Sequence, residues 1–366
     1  MKFKLTFSAF LLIAVSSFTS CSGDDAVAAQ TNQNSALTKK EAASALAGDC
    51  SSVPGWASQN GGTSGGAGAA ETVVSTYAGL KSAIENNAVK VVKITGTITI
   101  TTRLSLQDQS GKTIYGASGA RLVSTDQTQA NSGILNVKRC NNIIIRNLIF
   151  EGPGAYDTDG WDNAILDDCK NVWVDHCEFR DGVDGNLDIK NKSDFITVSY
   201  TKFNYLKTPK KGGSGGTDDH RFSNLIGSSD GATADRGTLR ITFARCWWAP
   251  GCKERMPRVR FGKVHIINSY FNSEVSNKCI MAGLEANILV ENNVFQNVTK
   301  PIDLMTGYTA VTASGNIFTG TTGNTTGGNT AFTPPYSIIT LAASAVEADI
   351  TTNAGATFSG NTCGSF

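Results

Sequence analysis

Residues 143–150, IIIRNLIF, and 172–179, VWVDHCEF, share one layout: a short run rich in β-branched residues, a polar corner, then an aromatic. The layout returns as FITVSYTKF at 195–203, LRITFARCWW at 239–248, VHIINSYF at 264–271, ILVENNVF at 288–295 and VTASGNIF at 311–318. Aligned on Phe150, Phe179, Phe203, Trp248, Phe271, Phe295 and Phe318, the units are spaced by 29, 24, 45, 23, 24 and 23 residues. The long interval is one period plus an insertion, Thr208 to Phe222 (TPKKGGSGGTDDHRF). Self-similarity at this period marks a solenoid, whose units bury their apolar faces only by stacking. Each unit offers two strand-like runs around an Asn-containing corner, as at Asn147, Asn268, Asn292 and Asn316. Leucine-rich repeats compete at this period, but their Leu consensus is absent. The expected fold is therefore all-β, a single-stranded parallel β-helix. Asn at a repeated corner is structural, because it tolerates the left-handed conformation.

Outside the repeats, Leu80 to Ile84 (LKSAI) has the spacing of a short amphipathic helix that caps the open N-terminal coil. The Thr/Gly/Ala-rich tail after Phe318 is expected to wrap the outside. Lys2 and Lys4, an apolar run from Phe7 to Val15 and small residues before Cys21 form an export signal over residues 1–20. That run is too short to span a membrane. Phe18-Thr19-Ser20-Cys21 resembles a bacterial lipobox, so both a lipid anchor at Cys21 and plain secretion are open. Residues 21–48 read as a flexible polar tether, leaving one domain over 49–366.

Formal net charge is +1. Losing the signal removes two lysines and no acid, leaving 30 basic against 31 acidic residues. Nothing global points to nucleic acid, and the expected membrane contact is limited to the possible anchor at Cys21. Without Cys21, eight cysteines remain, an even number that allows disulfides in an exported protein. Cys50 with Cys363 would staple the domain's ends. No Cys/His cluster has zinc spacing.

Three groups of residues carry candidate chemistry. Asp162 follows Gly160-Trp161, and Asp184 and Asp188 (DGNLD) lie one unit later around Gly185. Clustered hard oxygens near a turn suit Ca²⁺, while paired carboxylates would also serve glycoside hydrolysis. Lys190 shares the strand face of Asp188, and Lys207 opens the insertion. Two repeats on, Arg255-Met256-Pro257-Arg258-Val259-Arg260 sets three guanidiniums in a β-rich run. Alternation puts Arg258 and Arg260 on one face and Arg255 on the other unless Pro257 resets the count. Structural salt bridges would explain such a run, and so would a polyanionic ligand.

Four segments, taken together and in order, resemble polysaccharide lyases of the family 1 pectate lyase type. They are GWASQNGGTSGGAGA at 55–69, NVWVDHCEF at 171–179, SDFITVSYTKF at 193–203 with LIGSSD at 225–230, and RMPRVRFGKVH at 255–265. The resemblance implies a right-handed parallel β-helix that cleaves polygalacturonate by Ca²⁺-dependent β-elimination, as an exported monomer. It also implies Asp162, Asp184 and Asp188 as Ca²⁺ ligands, with Asp184 where other members have Glu. Arg255 would be the general base, and Lys190 and Arg260 would contact substrate. The family's second substrate lysine falls at Phe222 here, so Lys207 is the nearest substitute, with Lys210, Lys211 and Arg221 in reserve. Asp175 and His176 look like an acid–base pair but read as structural. Arg258 keeps the salt-bridge reading. A pectin lyase on methyl-esterified substrate and a non-catalytic glycan-binding β-helix are the alternatives.

Overall fold

The computed structural model describes residues 52–359. The export signal, the tether, Cys21, Cys50 and Cys363 lie outside the described residues. Every strand pairing in the ladders is parallel, and three sheets of ten, nine and eight strands run the length of the stack. Strands in each sheet are contributed by successive coils, so the chain winds as a parallel β-helix. The first sheet runs from Glu71–Val74 to Ala310–Ser314, the second from Thr97–Ile100 to Ile317–Thr319, and the third from Leu104–Gln107 to Ile302–Leu304.

The repeated aromatics form one column inside the second sheet. Phe150, Phe179, Phe203, Trp248, Phe271, Phe295 and Phe318 pair in register, with ring centroids 4.5, 5.8, 5.6, 4.5, 4.4 and 5.0 Å apart. Offset stacking of this kind adds about 0.5–1.5 kcal/mol per pair beyond simple burial.

One residue turns the chain from the first sheet to the second. Asn147, His176, Tyr200, Arg245, Asn268 and Asn292 take this place with φ between 43° and 56°. Each corner N–H donates to the neighbouring coil: Asn147 to Asp175 O, His176 to Ser199 O, Asn268 to Glu291 O. The ladder therefore continues around the bend. In the last coil Gly315 occupies the corner at φ 64°, and Asn316 sits one position later. There its Oδ1 accepts from Asn293 N at 2.9 Å, extending an internal ladder.

The units have three strands, not the two that the repeat suggested. Third-sheet strands such as Leu187–Lys190 and Arg258–Val259 are short, and their outward positions are polar or charged. They carry no β-branched run to reveal them.

Helix α1 (Tyr77–Glu85) buries Leu80, Ala83 and Ile84 on the first coil. Thr76 caps its start by accepting from Gly79 N. Lys112, fully buried in the coil below, closes the other end by donating to the carbonyls of Ala83, Ile84 and Asn86 at 3.0, 2.8 and 3.0 Å. Burial lowers its pKa to about 8. The Gly-rich 55–69 segment lies across the first sheet, where Trp56 N and Ala57 N donate to Thr242 and Thr197 and Gly65 N to Asn142. A Cβ at Gly55 or Gly65 would collide with Thr242 or Thr113. The tail covers the outside as expected: Phe332 and Tyr336 pack on Trp56, and helix α2 (Ala343–Asn353) on Tyr270 and Val294.

The six described cysteines are buried and free. Their thiols donate to carbonyls, as Cys169 does to Val137 O, and burial pushes Cys177 and Cys252 up to about 12. They act as core residues, not as staples. Asp175 and His176 are likewise committed. Asp175 accepts from Ser199 Oγ at 2.6 Å and lies 2.9 Å from both Arg146 Nε and His176 Nδ1, all buried at the first sheet's corner. Burial alone would raise its pKa, but His176 and Arg146 hold it below the ordinary value.

Replacing Lys112 by Met leaves three carbonyls at the end of α1 without their donor. The expected loss is about 1–3 kcal/mol, seen as a lower Tm with unchanged KM. An unchanged Tm would show that α1 does not depend on this cap.

Candidate active site

The third sheet's outward face gathers the candidate residues. In the strand Leu187–Lys190, Leu187 and Ile189 belong to the core, so Asp188 and Lys190 point outward. Ile189 pairs with Ile226, and Leu225 with Arg258, which places Asp188, Leu225 and Arg258 on one outward row across three coils. Asp162, Asp184 and Arg255 lie in the loops that lead into the strands Ala164–Asp167, Leu187–Lys190 and Arg258–Val259. All three loops enter the sheet at the same end of its strands.

The structure brings the three acids together. Asp162 and Asp188 are 3% and 5% exposed, and the side chain of Asp184 is 26% exposed. Gly185 lets them converge, since a Cβ there would collide with Asp162 Oδ1 and stand 3.6 Å from Asp188 Oδ1. Burial, then Asp188 and Asp184, raise Asp162 well above the carboxylate range. Burial pushes Asp188 up to about 6, with Asp184 adding to it. Lys190, Arg255 and the Leu225 N–H, 2.9 Å from Asp188 Oδ1, work in the opposite direction. Buried carboxylates raised by burial and by neighbouring acids, sharing a cradle without a Cβ, suit a hard cation held by oxygen alone. Ca²⁺ fits this donor set.

A fourth acid and a histidine stand beside them. The Gly-rich insertion is strapped to Asp157: Gly215 N donates to its carbonyl and Thr217 N to its Oδ2 at 2.9 and 2.8 Å. Neither Gly213 nor Gly215 could carry a Cβ against Asp157. The strap delivers His220, 6% exposed, with Nδ1 3.3 Å from Asp157 Oδ1 and Nε2 3.1 Å from Asp184 Oδ1. Asp157, Asp184 and His220 offer ligand atoms within 4.8 Å of one another. Neither Asp157 nor His220 stands out in the sequence: Asp157 lies in a stretch between repeats, and an insertion residue such as His220 has no partner in the repeat. The only signal was that His220 is one of three histidines in the chain.

The basic residues divide by what they already hold. Arg255, at φ 59°, makes no ion pair among the described residues, and its guanidinium lies 4.6 Å over the ring of Phe222. Lys190 likewise makes no ion pair among the described residues. Lys207 is not gathered with the acids: its Nζ donates to Gly152 O at 2.7 Å and pairs with Glu151 at 3.3 Å. Of its substitutes, Arg221 grips Asp219 through two bonds and Lys210 lies 4.1 Å over Tyr156, while Lys211 is exposed. Arg260 is 7% exposed, with Nε bonded to Asp230 at 2.5 Å and Nη1 to Gly227 O at 3.1 Å. Among the described residues Arg258 has no ion pair, and its buried Nε has no acceptor. Burial, then Arg260 and Arg255, lower its pKa.

A family model described as pectate lyase matches residues 31–359. A probable pectate lyase B from Aspergillus terreus is 34% identical over 251 residues, covering 66% of this chain and 68% of its own length. A pectate trisaccharide-lyase from Bacillus licheniformis is 34% identical over 323 residues, covering 83% and 86%. Among solved structures, a pectate lyase from a Bacillus species in complex with trigalacturonate superposes with a TM-score of 0.67 at 25% identity, over 83% of this chain and 98% of that chain. A pectate lyase bound to hexasaccharide gives 0.65 at 23% identity, over 83% and 96%.

The raised Asp188 makes stability depend on pH in a defined direction. Its folded pKa of about 6 lies above the unfolded value of about 4, so its contribution is full below pH 4 and lost as pH rises through 6. In EDTA, the protein should lose on the order of 3 kcal/mol between about pH 4 and 7 through this group. Asp188→Asn should flatten that part of the Tm profile. An identical profile in the variant would show that Asp188 is not held protonated.

Proposed function

The chain belongs to the pectate lyase family and is a polysaccharide lyase, and we propose that it cleaves de-esterified polygalacturonate by Ca²⁺-dependent β-elimination. One observation carries the finer reading. Asp162 and Asp188, both raised by burial and by the acids around them, stand with Asp184 beside Lys190 and Arg255, which make no ion pair among the described residues. That combination fits a polyanion held through a cation, with a base beside it.

Asp162, Asp184 and Asp188 would hold Ca²⁺. Bound there, the ion supplies positive charge against the substrate carboxylate as electron density builds on it. Lys190, on the same strand face as Asp188, adds a second positive charge to the same wall of the groove. Arg255, after giving its own proton to water at alkaline pH, takes the proton from C5 of the uronate as a neutral guanidine; the positive charge of Lys190 and of a bound ion would favour that neutral form. The electrons left behind form the C4–C5 double bond, the C4–O4 bond breaks, and O4 takes a proton from water. The guanidinium lies over the ring of Phe222 and makes no ion pair among the described residues. Lys207 and Arg260 line the groove as further substrate contacts, each carrying a resting partner, Glu151 or Asp230.

Export belongs to the same reading. Residues 1–20 direct the chain out of the cell, 21–48 tether it, from a lipid on Cys21 or as a secreted monomer, and 49–366 act on polymer outside. His220 stands between Asp184 and Asp157, with Nε2 3.1 Å from one and Nδ1 3.3 Å from the other.

Polygalacturonate cleavage followed by the ultraviolet absorbance of unsaturated ends tests this directly. Absorbance should rise only with Ca²⁺ and faster at alkaline pH. Arg255→Ala should lose roughly 10²–10⁴-fold in kcat while still binding oligogalacturonate. New reducing ends without absorbance would make the enzyme a hydrolase, and undiminished cleavage in EDTA would remove the metal from the mechanism.

A further inference from the structure

We propose that His220, Asp157 and Asp184 form a second metal site, which takes Zn²⁺ and is distinct from the acid trio that suits Ca²⁺. Two of its three ligands lie outside that trio. The third, Asp184, is shared, so the two ions compete for one carboxylate.

The Gly-rich insertion, Thr208 to Phe222, brings these residues together. Gly215 N and Thr217 N hold Asp157 through its carbonyl and its Oδ2, which leaves Oδ1 beside His220. The ring of Phe222 lies 4.1 Å from that of His220 and covers its flank. His220 and Asp157 are 6% and 4% exposed, whereas the side chain of Asp184 is 26% exposed. The cluster is therefore enclosed except on the side where Asp184 meets solvent.

The imidazole carries the assignment. A buried ring nitrogen ordinarily has a hydrogen-bond partner, yet neither Nδ1 nor Nε2 of His220 makes a hydrogen bond among the described residues. Carboxylate oxygens stand 3.3 and 3.1 Å away, near enough for such bonds but off the line of the N–H. His265 shows the ordinary case, bonded to Tyr336 at 3.2 Å and Glu291 at 3.0 Å. His176 also stands unaligned beside an acid, but Arg146 shares that acid and would repel a cation. Donors on one metal ion lie edge to edge, with the ion and not the neighbouring oxygen on the nitrogen's axis. At bond lengths of about 2.0–2.1 Å, two donors of a tetrahedral ion are about 3.3 Å apart. Nδ1 of His220 and Oδ1 of Asp157 have that separation, and all three residues offer ligand atoms within 4.8 Å of one another. Rotation of the partly exposed Asp184 closes the set.

Donor chemistry selects the ion. Ca²⁺ takes oxygen ligands, whereas an imidazole among carboxylates suits Zn²⁺. Two carboxylates and a neutral imidazole balance its charge, and water fills the fourth position. Asp184 drawn into this set is withdrawn from Asp162 and Asp188. Zn²⁺ here therefore weakens Ca²⁺ at the trio, and Ca²⁺ weakens Zn²⁺ by the same factor.

Two measurements on full-length protein without a histidine tag decide the matter: calorimetric titration of Zn²⁺ after EDTA stripping, and anomalous scattering from Zn²⁺-soaked crystals. The expected results are one bound equivalent, an ion peak beside His220, and a Ca²⁺ affinity that falls as Zn²⁺ is added. His220→Gln should weaken Zn²⁺ binding on the order of tenfold to a hundredfold and leave Ca²⁺ binding in place, and Asp157→Asn should weaken Zn²⁺ as well. If a variant lowers Tm, the wild-type ion peak still decides. No Zn²⁺ binding, a peak away from His220, or binding that His220→Gln leaves unchanged overturns the site and leaves His220 as a bridge between two acids. Zn²⁺ bound there with Ca²⁺ affinity unchanged overturns the sharing of Asp184. Zn²⁺ bound there without any Ca²⁺ binding supports this site and counts against the proposed function alone.

Discussion

Parallel register is the constraint from which the rest of this structure follows. Because each coil's N–H groups bond to the coil beside it, a residue sits over its counterpart at about 4.8 Å, coil after coil. The αL corner preserves this by passing its own N–H onward, so the ladder does not break where the chain turns. Identical positions must then tolerate one another at short range. Inside, aromatics satisfy the demand by stacking. Outside, the same rule brings together whatever charges the sequence places on neighbouring coils, whether they attract or repel.

That rule makes the acid trio possible and expensive. Asp162 and Asp188 come from adjacent coils, and the missing Cβ of Gly185 allows their oxygens to approach. An isolated buried carboxylate would normally take up a proton or find a partner. Here the charges on the protein side are Lys190 and Arg255, which make no ion pair among the described residues and moderate the repulsion. The site is therefore poised for a charge that comes from outside. The insertion adds a second restraint from the opposite wall, since it clasps Asp157 and carries His220 to Asp184.

How much of this was legible follows from range. The aromatic column and the Asn corners repeat at a fixed period, so a single sequence displays them. The third sheet carries no such repeat, because its strands are short and their outward residues, Asp188, Leu225, Arg258 and Met281 among them, change from coil to coil. Period-two alternation correctly put Arg258 and Arg260 on one face. It could not say which of them holds a partner, because Asp230 lies in the LIGSSD turn of the preceding coil. The same limit applied to Lys207, whose partner Glu151 sits two coils earlier. His220 was invisible for a related reason: the insertion interrupts the period, and only folding shows where it returns.

The central claim is that the three acids form a cation site completed by a polyuronate. Calorimetric titration of Ca²⁺ into metal-stripped protein, with and without an unreactive oligogalacturonate, tests it most directly. The account predicts weak binding at one site, strengthened by the oligosaccharide and lost in Asp188→Asn. Ca²⁺ binding that Asp188→Asn leaves unchanged, or no binding even with oligosaccharide present, would contradict it.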